Sequence, residues 1–171
     1  MRKIKYLISF LTILVIVASC TYNYEWLNDI FFDYRMPPIT SNGDYSIETT
    51  VRASNITIID PSTQEIAEIV TKKSWVEASG NFKENDVIEI HEIIVNKNDT
   101  IRINYKTVVD SDERTRIYFE NDEKYNDFAQ DLMNTLQKKG YVRLKVTGYL
   151  NAVNSQMQIT LCNDINIHVR E

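Results

Sequence analysis

Six apolar residues toward the C-terminal end, Met157, Ile159, Leu161, Ile165, Ile167 and Val169, all stand on odd positions with mostly polar residues between them. A period of two is strand geometry, because successive side chains leave opposite faces of the backbone. The alternation recurs upstream. Tyr45, Ile47, Thr49, Val51 and Ala53 oppose Ser46, Glu48, Thr50 and Arg52, and Val142, Leu144, Val146 and Leu150 oppose Arg143, Lys145, Thr147 and Tyr149. One apolar and one polar face per strand is the pattern of antiparallel sheets with a single buried side.

Other segments fill in the frame. Val87–Val95 and Thr100–Val109 flank Asn96-Lys97-Asn98-Asp99, a four-residue hairpin turn. Arg114–Phe119 is a further β-rich run, and a change of apolar parity at Ile56 and Ile58 predicts a bulge or bend near Ser54-Asn55. Asp60–Val70 reads two ways: a short helix opened by Asp60-Pro61 with Ser62 and Glu65 as a capping box, or a hairpin turn over Asp60–Gln64. Tyr125, Phe128, Ala129, Leu132 and Leu136 form an apolar stripe at helical spacing. Asp122 and Glu123 before it, Lys138 and Lys139 after it, and the stop Gly140 predict a helix near 122–139 closing one end or edge of the sheets. Leu27, Ile30, Phe31 and Tyr34 at i, i+3, i+4 and i+7, with Glu25, Asp29 and Asp33 opposite, predict a short N-terminal helix near 24–34 packed on the domain.

About eight to ten short strands favour a mainly β chain folded as an antiparallel β-sandwich, immunoglobulin-like or similar. A lipocalin-like closed barrel is the alternative. Forty-three per cent hydrophobic residues exclude a disordered chain, and two cysteines exclude a disulfide-dense scaffold.

The first twenty residues carry an address. Met1–Lys5 is basic, Tyr6–Ala18 is almost wholly apolar, and Val17-Ala18-Ser19-Cys20 follows. Thirteen helical residues reach only about 20 Å, short of a hydrocarbon core of about 30 Å. The layout is that of a secretory signal, and it resembles the lipobox signal of bacterial lipoproteins. The resemblance implies diacylglycerol on the Cys20 sulfur, cleavage between Ser19 and Cys20, and a further acyl chain such as palmitate on the new N-terminus. An ordinary cleavable signal is the alternative. The chain then divides into a signal peptide (1–19), a lipidated, aromatic-rich docking segment (20–44) and a β-rich domain (45–171). Thr21, rather than Asp, leans toward the outer membrane on its periplasmic side, with surface exposure as the variant.

Losing residues 1–19 removes Arg2, Lys3 and Lys5 and no acid, leaving 16 bases against 24 acids, a net −8. Nucleic-acid binding is thereby disfavoured. Catalytic chemistry has little to work with. The two histidines are His91, placed with Glu89 on a polar face opposite Ile88, Ile90 and Ile94, and His168, placed with Cys162 on the polar face of the last strand. Six residues along a strand put Cys162 and His168 about 20 Å apart. With Cys20 taken by lipid, Cys162 is an unpaired thiol expected to be shielded by its neighbours. Asp110-Ser111-Asp112-Glu113 lacks the third ligand and glycine of a calcium loop, because Thr115 stands at the ligand position. Four scattered glycines exclude a phosphate loop. Asn55-Ile56-Thr57 and Asn98-Asp99-Thr100 match an acceptor pattern that carries no meaning in most bacteria, while Asp99-Thr100-Ile101 resembles an O-glycosylation site of some gut bacteria.

The expectation is a non-catalytic accessory or binding module in the cell envelope. It would have no catalytic, metal or cofactor site, and its partners would be the bilayer through Cys20 and an envelope protein or glycan. An immunity- or inhibitor-type lipoprotein binding a basic protein is the alternative, and a carboxylate-only glycosidase stands third.

Overall fold

The odd-numbered apolar ladder of Met157–Val169 forms the inner face of the last strand, and the rest of the chain is arranged around it. The computed structural model describes residues 23–56, 59, 63–96, 99–110, 114–119, 123–154 and 156–170. The elements are β1 (Tyr24–Arg35), β2 (Gly43–Arg52), β3 (Glu65–Phe82), β4 (Val87–Val95), β5 (Asp99–Val108), β6 (Arg114–Phe119), α1 (Glu123–Lys139), β7 (Tyr141–Asn151) and β8 (Met157–Arg170). Sheet I has the order β1-β8-β3-β6 and sheet II the order β2-β7-β4-β5, with every pairing antiparallel. This is the β-sandwich; two separate four-stranded sheets replace the closed barrel of the alternative reading. The inner faces supply one core, including Ile159, Leu161, Ile165 and Ile167 from β8, Val142, Leu144 and Val146 from β7, and Ile88, Ile90 and Ile93 from β4.

The N-terminal helix expected near 24–34 does not form. Tyr24–Arg35 is the edge strand β1, paired with β8. A bulge between Leu27 and Ile30, with Asp29 at φ 56°, shifts the alternation by one residue. Leu27 and Ile30 thus pack on the core side three residues apart, the spacing that imitates a helix. Beyond the bulge Phe32 and Tyr34 are buried while Phe31 stays on the outer face. The segment does pack on the domain, as a strand.

A second bulge, between Ile90 and Glu92, corrects the parity expected for β4. Ile88 and Ile90 point inward as read, but Ile93 and Val95, not Ile94, continue the inner face. Neither reading of Asp60–Val70 holds for the described part. Glu65–Val70 opens β3, and the chain crosses from sheet II to sheet I between β2 and β3 rather than turning a hairpin. Asp60-Pro61-Ser62 lies outside the described residues. The bend expected near Ser54-Asn55 takes the form of a 3-10 turn over Ala53–Asn55 at the end of β2, where the Arg52 amide donates to Asn55 Oδ1 at 2.8 Å.

Helix α1 does close an edge. β6 pairs with β3 only from Val76 to Phe82, so among the described residues the first half of β3 has a side without a strand neighbour. The helix supplies polar side chains there. Gln130 Oε1 accepts from the Thr71 amide at 2.7 Å, and its Nε2 donates to the Ile69 carbonyl at 2.8 Å. Asn126 Oδ1 accepts from the Ser74 amide at 3.2 Å, and Gln137 Nε2 donates to the Ala67 carbonyl. A bare strand edge is thus hydrogen-bonded without a strand. The adjacent stripe, Tyr125, Ala129, Leu132, Met133 and Leu136, is buried, and the helix stops at Gly140, φ 72°, whose amide returns to the Leu136 carbonyl.

Candidate functional site

The outer face of sheet I carries side chains that core-building does not explain. Three of the exposed large hydrophobic residues, Tyr24 (56% exposed), Trp26 (43%) and Phe31 (57%), stand on β1. Register sets Trp26, His168 of β8 and Glu68 of β3 in one row across the sheet, Phe31, Asp164 and Lys73 in a second, and Asp33, Cys162 and Trp75 in a third. The His168 and Trp26 rings stack with centroids 4.5 Å apart and planes 3° from parallel, and Tyr24 tilts against His168 at 5.1 Å. Farther along, Phe31 meets Trp75 at 5.8 Å, and Lys73 Nζ sits 5.7 Å from the Trp75 ring centroid. The rings form a strip across three strands.

Around that strip charges pair within the face. Asp29 with Lys72, Asp33 with Arg35 at 3.2 Å, Glu77 with Arg116 at 3.4 Å and Glu65 with Arg170 are ion pairs. At the far end the face runs into an open groove of about 980 Å³. Thr40, Ser79, Asn81, Asn154, Gln156 and Gln158 supply its polar lining, with Pro38, Gly80 and Met157 completing the wall. Ile39 bridges to Met157 and extends the line of β1, so Thr40 borders the groove on one side and Ser79, paired with Gln158, on the other.

Cys162 lies on this outer face but is buried, 2% exposed, under neighbouring side chains. Burial, with the carboxylates of Glu77 and Asp33 nearby, pushes its thiol from the ordinary 9.0 to about 12. It is shielded as the sequence suggested. His168 shares its strand and face, with its ring engaged by Trp26 and Tyr24.

His91 is on the outer face of sheet II, so the two histidines belong to different sheets. His91 Nε2 is 3.0 Å from Glu89 Oε2, and Lys106 Nζ is 2.6 Å from Glu89 Oε1. Hydrogen bonds from His91 and then Lys106 hold the Glu89 carboxyl below its usual range. Together with the Arg102–Glu92 pair at 2.9 Å, this is a solvated, salt-bridged face.

The lipidation and cleavage positions, Cys20 and Ser19, lie outside the described residues, as do Ser111, Asp112 and Glu113 of the acidic turn. Among the described residues no group of three or more His, Cys, Asp or Glu side chains could hold a metal ion. No helix among them is long and apolar enough to cross a membrane. Sequence reasoning missed the strip because it joins three distant segments. The clustering of Asn154, Gln156 and Gln158 was the one local signal for the groove. No family model matches this chain, and no curated protein matches it either.

Proposed function

We propose that this chain is a bacterial lipoprotein, held in the cell envelope by diacylglycerol on Cys20, that acts as a non-catalytic accessory or binding module. Its working surface is the outer face of sheet I. The observation that carries this reading is the strip of exposed aromatic rings on β1. A strand that buries Phe32 and Tyr34 gains nothing in folding from leaving Tyr24, Trp26 and Phe31 in water. β1 also begins only four residues after Cys20. The lipid would therefore hold this end of sheet I close to the bilayer, at the outer membrane on the periplasmic side. Two or three acyl chains anchor durably where one holds marginally, at roughly 0.8 kcal/mol per buried CH₂.

Cells fed labelled palmitate test the anchor. The native chain is expected to take up label and fractionate with membrane, and Cys20→Ala to lose both; a labelled, membrane-bound Cys20→Ala chain sinks the lipoprotein reading. An immunity- or inhibitor-type lipoprotein is the second reading, favoured by the net −8 of residues 20–171, which would steer a basic protein. Tight stoichiometric binding of one basic protein, weakening steeply with salt, would select it.

A further inference from the structure

We infer that the groove at the end of sheet I binds a neutral glycan, with Trp75 and Phe31 extending the platform along the same face. This rests on the binding-module reading and names its ligand class.

Charge composition carries the argument furthest. Charged residues make up 25% of the chain, yet among the described residues no Asp, Glu, Lys or Arg lines this groove. An uncharged wall offers nothing to a phosphate, an anionic headgroup or a basic side chain, each of which would lose hydration without gaining a counter-charge. Amide and hydroxyl side chains are both donors and acceptors, and so are the hydroxyls that rim a sugar. The C–H faces of a pyranose are apolar and suit an aromatic ring, the other feature of this face.

Geometry agrees. The Trp75–Cys162 row lies four residues along β8 from Gln158, about 13 Å at roughly 3.3 Å per residue, so one oligosaccharide can reach both. Between them, flanking the buried Thr160, stand Arg35 and Glu77 in register, further hydrogen-bonding groups. The lining is also held in place beforehand. Asn154 Nδ2 donates to the Asn81 carbonyl at 3.0 Å, Gln158 Nε2 to the Met36 carbonyl at 3.2 Å, and Ser79 Oγ to the Gln158 carbonyl at 3.4 Å. Preorganised groups lose less entropy when a ligand arrives.

The full chain in detergent micelles, titrated calorimetrically with the hexasaccharides of glucose, mannose, xylose and N-acetylglucosamine, tests the proposal. At least one is expected to bind, with less than about a twofold change in affinity between about 0.05 and 0.5 M salt. Gln156→Ala and Asn81→Ala, both exposed positions, should each weaken it roughly tenfold, as should Trp75→Ala, while Glu48→Ala on sheet II leaves it unchanged. Phosphatidylglycerol vesicles should not compete. Silence toward all four sugars, steep salt dependence, indifference to Gln156→Ala, or displacement by the vesicles overturns the glycan inference. Palmitate labelling of Cys20 and burial of the aromatic strip in the envelope, both read separately, would survive that outcome and keep the wider reading distinguishable.

Discussion

The imidazole of His168 lies flat on the indole of Trp26, planes 3° from parallel, joining the edge strand β1 to the last strand β8 on a face open to solvent. The contact fixes Trp26 at a strand edge where an indole would otherwise sample several rotamers. A double-mutant cycle of Trp26→Ala and His168→Ala, followed by urea unfolding, should give a coupling of about 0.5–1.5 kcal/mol. Strict additivity would contradict the stack.

Gly148 faces Tyr45 across the β2–β7 pair, and Tyr45 reaches over it to donate to the Glu89 carbonyl at 2.7 Å. A Cβ at position 148 would meet both that carbonyl and the Tyr45 hydroxyl. Gly148→Ala should therefore cost about 1–3 kcal/mol or more, the range of an overpacked core. A midpoint in urea equal to that of the native chain would refute the crowding.

Gln130 satisfies both an amide and a carbonyl on the β3 edge. Gln130→Ala leaves Thr71 N–H and Ile69 C=O without this partner, a loss of about 1–3 kcal/mol for buried polar groups. Asp131→Ala, one residue on and exposed, should stay within about 0.5 kcal/mol. Equal effects would mean that α1 does not cap the edge.

Alkaline pH should destabilise the domain in a defined way. The Cys162 thiol rises from 9.0 to about 12 on folding, so its contribution is complete below the unfolded value and is lost as pH climbs toward the folded value. The phenols of Tyr34, Tyr45 and Tyr125, raised first by burial, act in the same direction at higher pH. Melting temperature should fall progressively above about pH 9, less steeply in Cys162→Ala. At pH near 8 a thiol reagent should label Cys162 only after unfolding. Rapid labelling of the folded chain would contradict its burial.

The sandwich was legible because period two survives along β2, β7 and β8: the β2–β7 register runs without a shift, and the bulges in the other pairings of β7 and β8 place their extra residue on the partner strand. It failed where the backbone departs from that period. The bulge at Asn28-Asp29 turned a strand into an apparent helical stripe, and the bulge after Ile90 moved the inner face from Ile94 to Ile93 and Val95. Both are single-residue events that leave composition untouched. Helix α1 was legible from its stripe and stop, but its bonds to the β3 edge were not, since they depend on β6 being short. The candidate face was the least legible part. Trp26, Phe31, Trp75 and His168 become neighbours only through the order β1-β8-β3, and no local pattern encodes strand order.

Oxidative footprinting of the envelope-bound chain tests most directly that the outer face of sheet I is the working surface. Tyr24, Trp26 and Phe31 are 56%, 43% and 57% exposed in the isolated chain, and Tyr141 at the start of β7 in sheet II is a matched control at 42%. Hydroxyl-radical labelling should modify all four in detergent. In intact envelopes it should spare Tyr24, Trp26 and Phe31 while Tyr141 reacts as before. Equal labelling of all four in both settings, or protection of Tyr141 alone, would contradict the account.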